Sequence, residues 1–333
     1  MRKVLLVNDT RMVGHHGSSA VVDVIVQQLA KRGVAVLSHL QHAIDIENIG
    51  DHGFQGVVVN GEGAMHGGRK HSHLFSRIGQ QMSQRRIPVF LINTVFDEQT
   101  PEIVARMRYF TGIYCRETQS VRRLAAGGVP ARVCPDLTFA LELPDGLALR
   151  PGNRIVVLDT TVASKNRKLR QFCLENELYF QPIRTSPRLL SVTNSRNLIR
   201  IARFNATKYI GKLLPAIYTF SRYANAVTSS YAFLQRIADG TLVVVAPRFH
   251  GVCFCMKVGV PFLAISSNTP KIEGMLADAG LGDRMLDITD LDVEVIKRRS
   301  FWSPEHEESR LRYLADAKGR IDRMFDDIAG AIH

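Results

Sequence analysis

Thr241-Leu242-Val243-Val244-Val245-Ala246-Pro247-Arg248-Phe249-His250-Gly251 reads as a valine-rich strand that stops at a proline and delivers an arginine and a histidine to the helix-like stretch Val252 to Val258. An unbroken apolar run suits a parallel strand covered on both faces, and ligands of such sheets bind beyond the carboxyl ends of the strands. The unit repeats outward. Downstream, Gly259-Val260-Pro261 leads into a strand at Pro261 to Ile265, and Ser266-Ser267-Asn268-Thr269-Pro270-Lys271-Ile272-Glu273 opens another helix, with Thr269 the expected N-cap and Pro270 in its first turn. Upstream, strands at Ile155 to Leu158 and Tyr179 to Ile183 belong to the same half.

The first half alternates in the same way. Val4 to Asn8 is strand-like, the loop Gly14-His15-His16-Gly17 follows, and Ser18 or Ser19 is expected to cap a helix ending near Lys31. Strands are expected at Val34 to Leu37, Gly56 to Asn60, Val89 to Asn93 and Gly112 to Cys115, with helices around Ser72 to Arg85, Pro101 to Tyr109 and Thr118 to Ala126. Proline, aspartate and glycine gather between Pro144 and Asn153, where a boundary is expected. The pattern predicts an α/β protein of two Rossmann-like, doubly wound domains facing a cleft. They span 1–147 and 148–333, the second with a basic helical insertion at about 185–238 and a long helix from about Pro304.

Composition agrees with an ordinary globular chain: 333 residues, 45% hydrophobic and 22% charged. It excludes disorder, collagen and a disulfide miniprotein, and no apolar run approaches the roughly 20 residues of a spanning helix. Asn8 and Asp9 interrupt the apolar start before a secretory core would form. Five cysteines, Cys115, Cys134, Cys173, Cys253 and Cys255, show no CxxC spacing, which points to a reducing compartment and a cytoplasmic location. Net charge is +12, and the stretch Leu178 to Ala238 holds nine Lys/Arg and no Asp or Glu. On a helix from Arg196 to Leu214, Leu198, Ala202, Ala206, Tyr209 and Leu213 share one face and most basic residues the other. That face is either simply solvated or an interfacial surface for anionic lipid at the inner membrane. Nucleic acid is disfavoured, because no stacking or groove-reading motif accompanies the charge.

The loops after strands hold the candidate chemistry. Arg248 is suited to clamping a carboxylate or phosphate, or to an ion pair between the halves; His250 is suited to proton transfer near neutral pH, or to capping the helix. Lys271, just after Asn268, is a cation at a helix start, solvated or neutralised by a bound anion. In Asn60-Gly61-Glu62-Gly63, the glycines Gly61 and Gly63 permit a sharp turn, and Glu62 is a candidate base or an exposed turn residue. Ser18 and Arg116 begin after strands too. Asp136 reads as a turn-forming aspartate. His66, His71 and His73, with His15 and His16 upstream, match no zinc spacing, and no metal is assigned. GxGxxG, GxxxxGK[ST] and GxSxG motifs do not occur.

At these residues the chain resembles the polysaccharide pyruvyl transferase family. The resemblance is carried by Gly61-Glu62-Gly63, Arg116-Glu117 with Ser120 and Leu124, Pro135-Asp136 with Phe139, Pro247-Arg248-Phe249-His250-Gly251, Gly259-Val260-Pro261, Lys271 and Ala279-Gly280-Leu281. It implies a glycosyltransferase-B-like fold and transfer of a pyruvyl group from phosphoenolpyruvate to a sugar of a cell-surface polysaccharide, the acceptor being a sugar or a lipid-linked oligosaccharide. In that scheme His250 is the acid, Arg248 the anion clamp and Glu62 the acceptor base. Lys271, Arg116, Asn268, Ser18, Gly61 and Gly63 would shape the donor pocket, phosphoenolpyruvate would be a substrate, and no cofactor would be needed. The family's run of three glycines is interrupted here by Glu62. Two alternatives stand beside this: a glycosyltransferase using a nucleotide sugar on the same fold, and a non-catalytic protein binding anionic glycans or membranes.

Overall fold

Strands apolar on both sides must be covered on both faces, and in β1 (Arg2–Asp9) Val4, Leu5, Leu6 and Val7 are all buried. In the computed structural model, which describes residues 2–40, 53–143, 147, 149–185 and 225–332, this strand lies inside a parallel sheet. The chain continues through α1 (His16–Lys31), β2 (Val34–Leu40), β3 (Gly56–Glu62), α2 (Lys70–Gln84), β4 (Val89–Thr94), α3 (Pro101–Arg106), β5 (Gly112–Cys115), α4 (Thr118–Ala126) and β6 (Arg132–Val133). The sheet order is β2-β1-β3-β4-β5-β6. Because the chain goes from β1 to β2 on one side and returns to β3 on the other, a crevice opens at the carboxyl ends of β1 and β3.

The second half repeats the arrangement with β7 (Arg150–Leu158), α5 (Ala163–Glu175), β8 (Tyr179–Gln181), α6 (Ser230–Ala238), β9 (Asp239–Ala246), α7 (Phe249–Val258), β10 (Phe262–Ala264), α8 (Lys271–Ala279), α9 (Val293–Arg298) and α10 (Pro304–Ala331). Its parallel sheet runs β10-β9-β7-β8, with Ile155, Val156 and Val157 opposite Val243, Val244 and Val245. The strand order reverses here between β7 and β9, so the Arg248 loop stands at the second crevice. A single core cluster joins the two halves, with Val4, Leu6 and Ile25 from the first and Val156, Val244, Phe254 and Phe325 from the second. Helix α10 crosses back to the first sheet, where Arg2 donates to the Ala329 carbonyl at 2.7 Å and the Tyr114 hydroxyl donates to Asp327 at 2.6 Å.

Several expectations need correction. Helix α1 is capped not by Ser18 or Ser19 but by His15, whose Nδ1 accepts from the Gly17 and Ser18 amides at 3.1 and 3.3 Å. Thr269 is not a cap: α8 begins at Lys271, behind Pro270, with no side-chain cap hydrogen bond. The expected Pro101 to Tyr109 helix tightens into a 3-10 turn after Arg106, and the edge strand β6 was not anticipated. Strands β8 and β10 are shorter than expected, while β7 starts at Arg150, inside the presumed boundary. Most of the basic insertion at about 185–238, including the helix expected from Arg196 to Leu214, lies outside the described residues. No helix among the described residues is long and apolar enough to cross a membrane.

Candidate functional site

The strand ends of the first sheet are tied together by asparagines. Asn8 Nδ2 donates to the Asn60 carbonyl at 2.6 Å, Asn60 Nδ2 returns a bond to the Asn8 carbonyl at 3.3 Å, and Asn93 Nδ2 reaches Asn60 Oδ1 at 3.3 Å. Asn8 and Asn93 adopt left-handed backbone, which asparagine tolerates better than most residues. These bonds pin the carboxyl ends of β1, β3 and β4 at one level. The chain then turns into the loops that line the cleft.

From the second sheet, β9 ends at Ala246 and α7 starts at Phe249, so Arg248 and His250 stand at the junction. Arg248 pairs with Asp159, which follows β7, at 3.3 Å; the ion pair therefore lies within the second half rather than between the halves. Burial lowers the Arg248 pKa from its ordinary value, with Asp159 opposing the shift. Its Nε has no hydrogen-bond partner among the described residues. His250 Nε2 lies 3.5 Å from the Asp136 carboxylate, and Arg116 Nε lies 3.3 Å from the same carboxylate oxygen.

Asp136, read from sequence as a turn residue, thus anchors the centre of the site. It does form the turn, since its Oδ1 accepts from the Thr138 amide at 3.0 Å and hydroxyl at 2.6 Å, and it is also fully buried beneath His250 and Arg116. Burial alone would raise its pKa, but the facing His250 and Arg116 hold the carboxyl well below the usual range. Arg116 also donates to the Asn93 carbonyl at 2.9 Å and stacks over the Phe249 ring, while its Nη2 has no hydrogen-bond partner among the described residues.

Opposite, Glu62 sits in the left-handed region at φ 42, a conformation glycine adopts without strain. Hydrogen bonds hold it there: Oε1 accepts from Thr10 at 2.6 Å and Asn60 at 3.3 Å, and Oε2 accepts from Ser18 at 3.2 Å. Gly61 is required by packing, because a Cβ there would lie 2.5 Å from Thr94 Oγ1. Gly17, in the first turn of α1, touches the second half just as closely: a Cβ would fall 2.3 Å from His250 Cγ. Lys271 Nζ donates to Asn268 Oδ1 at 2.9 Å, and its pKa is pushed down to about 8 by burial and by the facing Arg116 and Arg248.

One cleft of about 330 Å³ gathers Ser18, Glu62, Gly63, Arg116, Arg248, His250, Asn268 and Lys271, while Gly61 does not line it. The larger cleft near Lys31 and Lys257, about 780 Å³, contains none of them. The five histidines scatter. His15 lies against His250 with ring centroids 5.2 Å apart, His16 stacks on Phe233, and His66 lines the cleft. His71 and His73 are on α2, facing Phe75 and Glu102. No group of three or more His, Cys, Asp or Glu among the described residues is arranged to hold a metal ion. Asp136, Asp159 and His15 were not recognised from sequence as site residues. A signal was available for Asp159 alone, since it directly follows the apolar end of β7 and precedes threonine rather than glycine.

A sequence profile described as polysaccharide pyruvyl transferase matches residues 15–269. No curated protein matches. Solved structures similar to this chain include an uncharacterized protein of Klebsiella pneumoniae, with 13% identity, a TM-score of 0.48, and coverage of 86% of this chain and 92% of that one. A mutant O-GlcNAc transferase of Thermobaculum terrenum has 10% identity and a TM-score of 0.39, over 99% of this chain and 68% of that one. The glycosyltransferase SnogD of Streptomyces nogalater has 13% identity and a TM-score of 0.38, over 96% and 95%.

Proposed function

Because this chain belongs to the polysaccharide pyruvyl transferase family, we propose that it moves the pyruvyl group of phosphoenolpyruvate onto a pair of hydroxyls on a sugar of a cell-surface polysaccharide. The observation that carries the proposal is the convergence of Arg116, Arg248 and Lys271 on one cleft, with Arg116 Nη2 and Arg248 Nε buried and unpartnered among the described residues. A buried donor left unmade costs about 1–3 kcal/mol, and more when charged. A compact anion bearing a carboxylate and a phosphate supplies the missing acceptors.

The chemistry follows from the donor. Protonation of C3 of the enol leaves a cationic C2; a sugar hydroxyl adds there, phosphate leaves with the electrons of its C2–O bond, and a second hydroxyl closes the ketal. Two protons leave the acceptor hydroxyls, while one is taken up at C3 and one by the departing phosphate, so the sum is neutral in protons. His250 supplies the proton to C3, its ring held with Nε2 3.5 Å from the Asp136 carboxylate. Arg116, Arg248 and Lys271 stabilise the leaving phosphate. Glu62 fixes the Ser18 hydroxyl at the rim, and Asn268 orients Lys271. The scheme uses no metal or organic cofactor.

The acceptor is proposed to be lipid-linked and reached from the cytoplasmic face of the membrane. The acid-free basic stretch between Leu178 and Ala238 supports contact with anionic headgroups, which sedimentation with phosphatidylglycerol vesicles against neutral vesicles tests. The donor is tested by thermal unfolding with millimolar phosphoenolpyruvate against a panel of nucleotide sugars. Saturating donor raises the midpoint, and Arg248→Ala abolishes the shift. A shift with nucleotide sugars alone would replace this proposal by glycosyl transfer.

A further inference from the structure

His66 lies in the same cleft as the donor cations, yet the scheme above leaves it idle. The residue is 8% exposed and follows the glycine turn, where its backbone bridges to Asp97. Its Nδ1 is 2.6 Å from the Gly63 carbonyl oxygen. A carbonyl only accepts, so Nδ1 carries the hydrogen and Nε2 is left with a lone pair whenever the ring is neutral. Burial, with Arg69 and Lys271 nearby, lowers the imidazole pKa from its ordinary value, the Gly63 hydrogen bond and then Asp97 opposing the shift only in part, so the ring is neutral at pH 7. Nε2 is buried and has no hydrogen-bond partner among the described residues.

That combination is unusual in the cleft. Glu62 has both oxygens engaged by Thr10, Asn60 and Ser18, and the nearby Asp97 is paired with Arg123 at 3.1 Å. His15 spends its Nδ1 on capping α1. His66 alone among these groups combines a fixed tautomer with an unused acceptor. An orphaned acceptor is completed by an O–H donor, and the donor that arrives in this cleft under the proposed function is a sugar hydroxyl.

Resting on that function, we infer that His66 is the base for the acceptor: Nε2 takes the proton of the attacking hydroxyl as the oxygen's electron pair bonds to C2 of the donor. The O–H bond breaks, the C2–O bond forms, and the imidazolium passes its proton on to the departing phosphate or to water before the second hydroxyl attacks. Gly63, by accepting from Nδ1, stabilises the imidazolium in the interval.

The test uses the full chain, phosphoenolpyruvate, and either a panel of 4-nitrophenyl glycosides or water as the acceptor, with phosphate release as the readout. His66→Asn keeps an amide donor near the Gly63 carbonyl but has no basic nitrogen; His66→Ala leaves space for added imidazole. The expected result is that both variants keep the parent's thermal shift with phosphoenolpyruvate, release phosphate about a hundredfold more slowly or worse, and that imidazole restores His66→Ala but not His66→Asn. Retained donor binding with phosphate release within threefold of the parent would overturn the inference while sparing the function. So would a loss that imidazole does not restore, which would mark a purely structural role, or a donor-binding parent that releases no phosphate with any acceptor. A parent that shows no shift with phosphoenolpyruvate would instead remove the function on which the inference rests.

Discussion

Replacing Asp136 by asparagine removes one charge and almost no volume from a fully buried position. What remains is a guanidinium, Arg116, that is 2% exposed and has lost its carboxylate, and a His250 ring with no anion beside Nε2. Breaking a buried ion pair by neutralising one partner costs about 3–5 kcal/mol, because the other charge stays desolvated. For a chain of this size, each kcal/mol moves the thermal midpoint by roughly 2 °C, so Asp136→Asn is expected to melt roughly 6–10 °C below the parent. The pH dependence follows from the direction of the shift. The Asp136 carboxyl is held below its ordinary value in the folded state, so its contribution is complete above the unfolded value of about 3.9 and is lost as pH falls through the lower folded value. Differential scanning calorimetry of both proteins should therefore show the full gap at pH 7 and its closure in strong acid. A gap under about 2 °C at pH 7 would refute the assignment of Asp136 as the counter-charge of the site.

Gly17→Ala would place a Cβ 2.3 Å from His250 Cγ, so the ring must move; overpacking of this kind costs about 1–3 kcal/mol, and phosphate release should fall further than the midpoint does. Lys271 is charged below about pH 8 and neutral above it, so phosphoenolpyruvate affinity measured by calorimetry should weaken as pH rises through 8, and Lys271→Met should remove that dependence. The same variant should raise the stability of the unliganded protein at pH 7, since a partly desolvated ammonium facing Arg116 and Arg248 is no longer formed; an unchanged or lower midpoint would contradict the desolvation of Lys271. Asp327→Asn weakens bonds to Tyr114 and Arg132 at the far edge of the first sheet, and should cost about 1 kcal/mol with donor binding unaltered.

The element order was legible because buried parallel strands are written as short valine and leucine runs, and β5 and α4 fall at Gly112–Cys115 and Thr118–Ala126 as expected. Strand ends were less legible, since β3 extends through Glu62 and β7 begins at Arg150, where pairing with a neighbour rather than apolar character keeps the chain extended. Arg248, His250, Lys271 and Glu62 could be found because each lies at the carboxyl end of a strand or in the segment that leads from it into the next helix. Asp136 could not be separated from an ordinary turn aspartate, because the same side chain performs both tasks and only the third dimension brings Arg116 and His250 to it. His15 escaped for a related reason: an imidazole accepting from two amides replaces the serine that local preference would choose as a cap.

The contact between Gly17 and His250, together with the core cluster shared by the two halves, has a consequence for how the protein can be taken apart. Neither half owns the site. Glu62, Arg116, Asp136 and the start of α1 come from the residues before 144, and Arg248, His250 and Lys271 from those after 148, so a cut parts Asp136 from His250, splits the three cleft cations, and leaves each fragment an apolar face without its cover. A chain cut between residues 143 and 149 should consequently regain donor binding only on fragment complementation, and the recovery of the anion site would itself report that the two pieces have docked in native register.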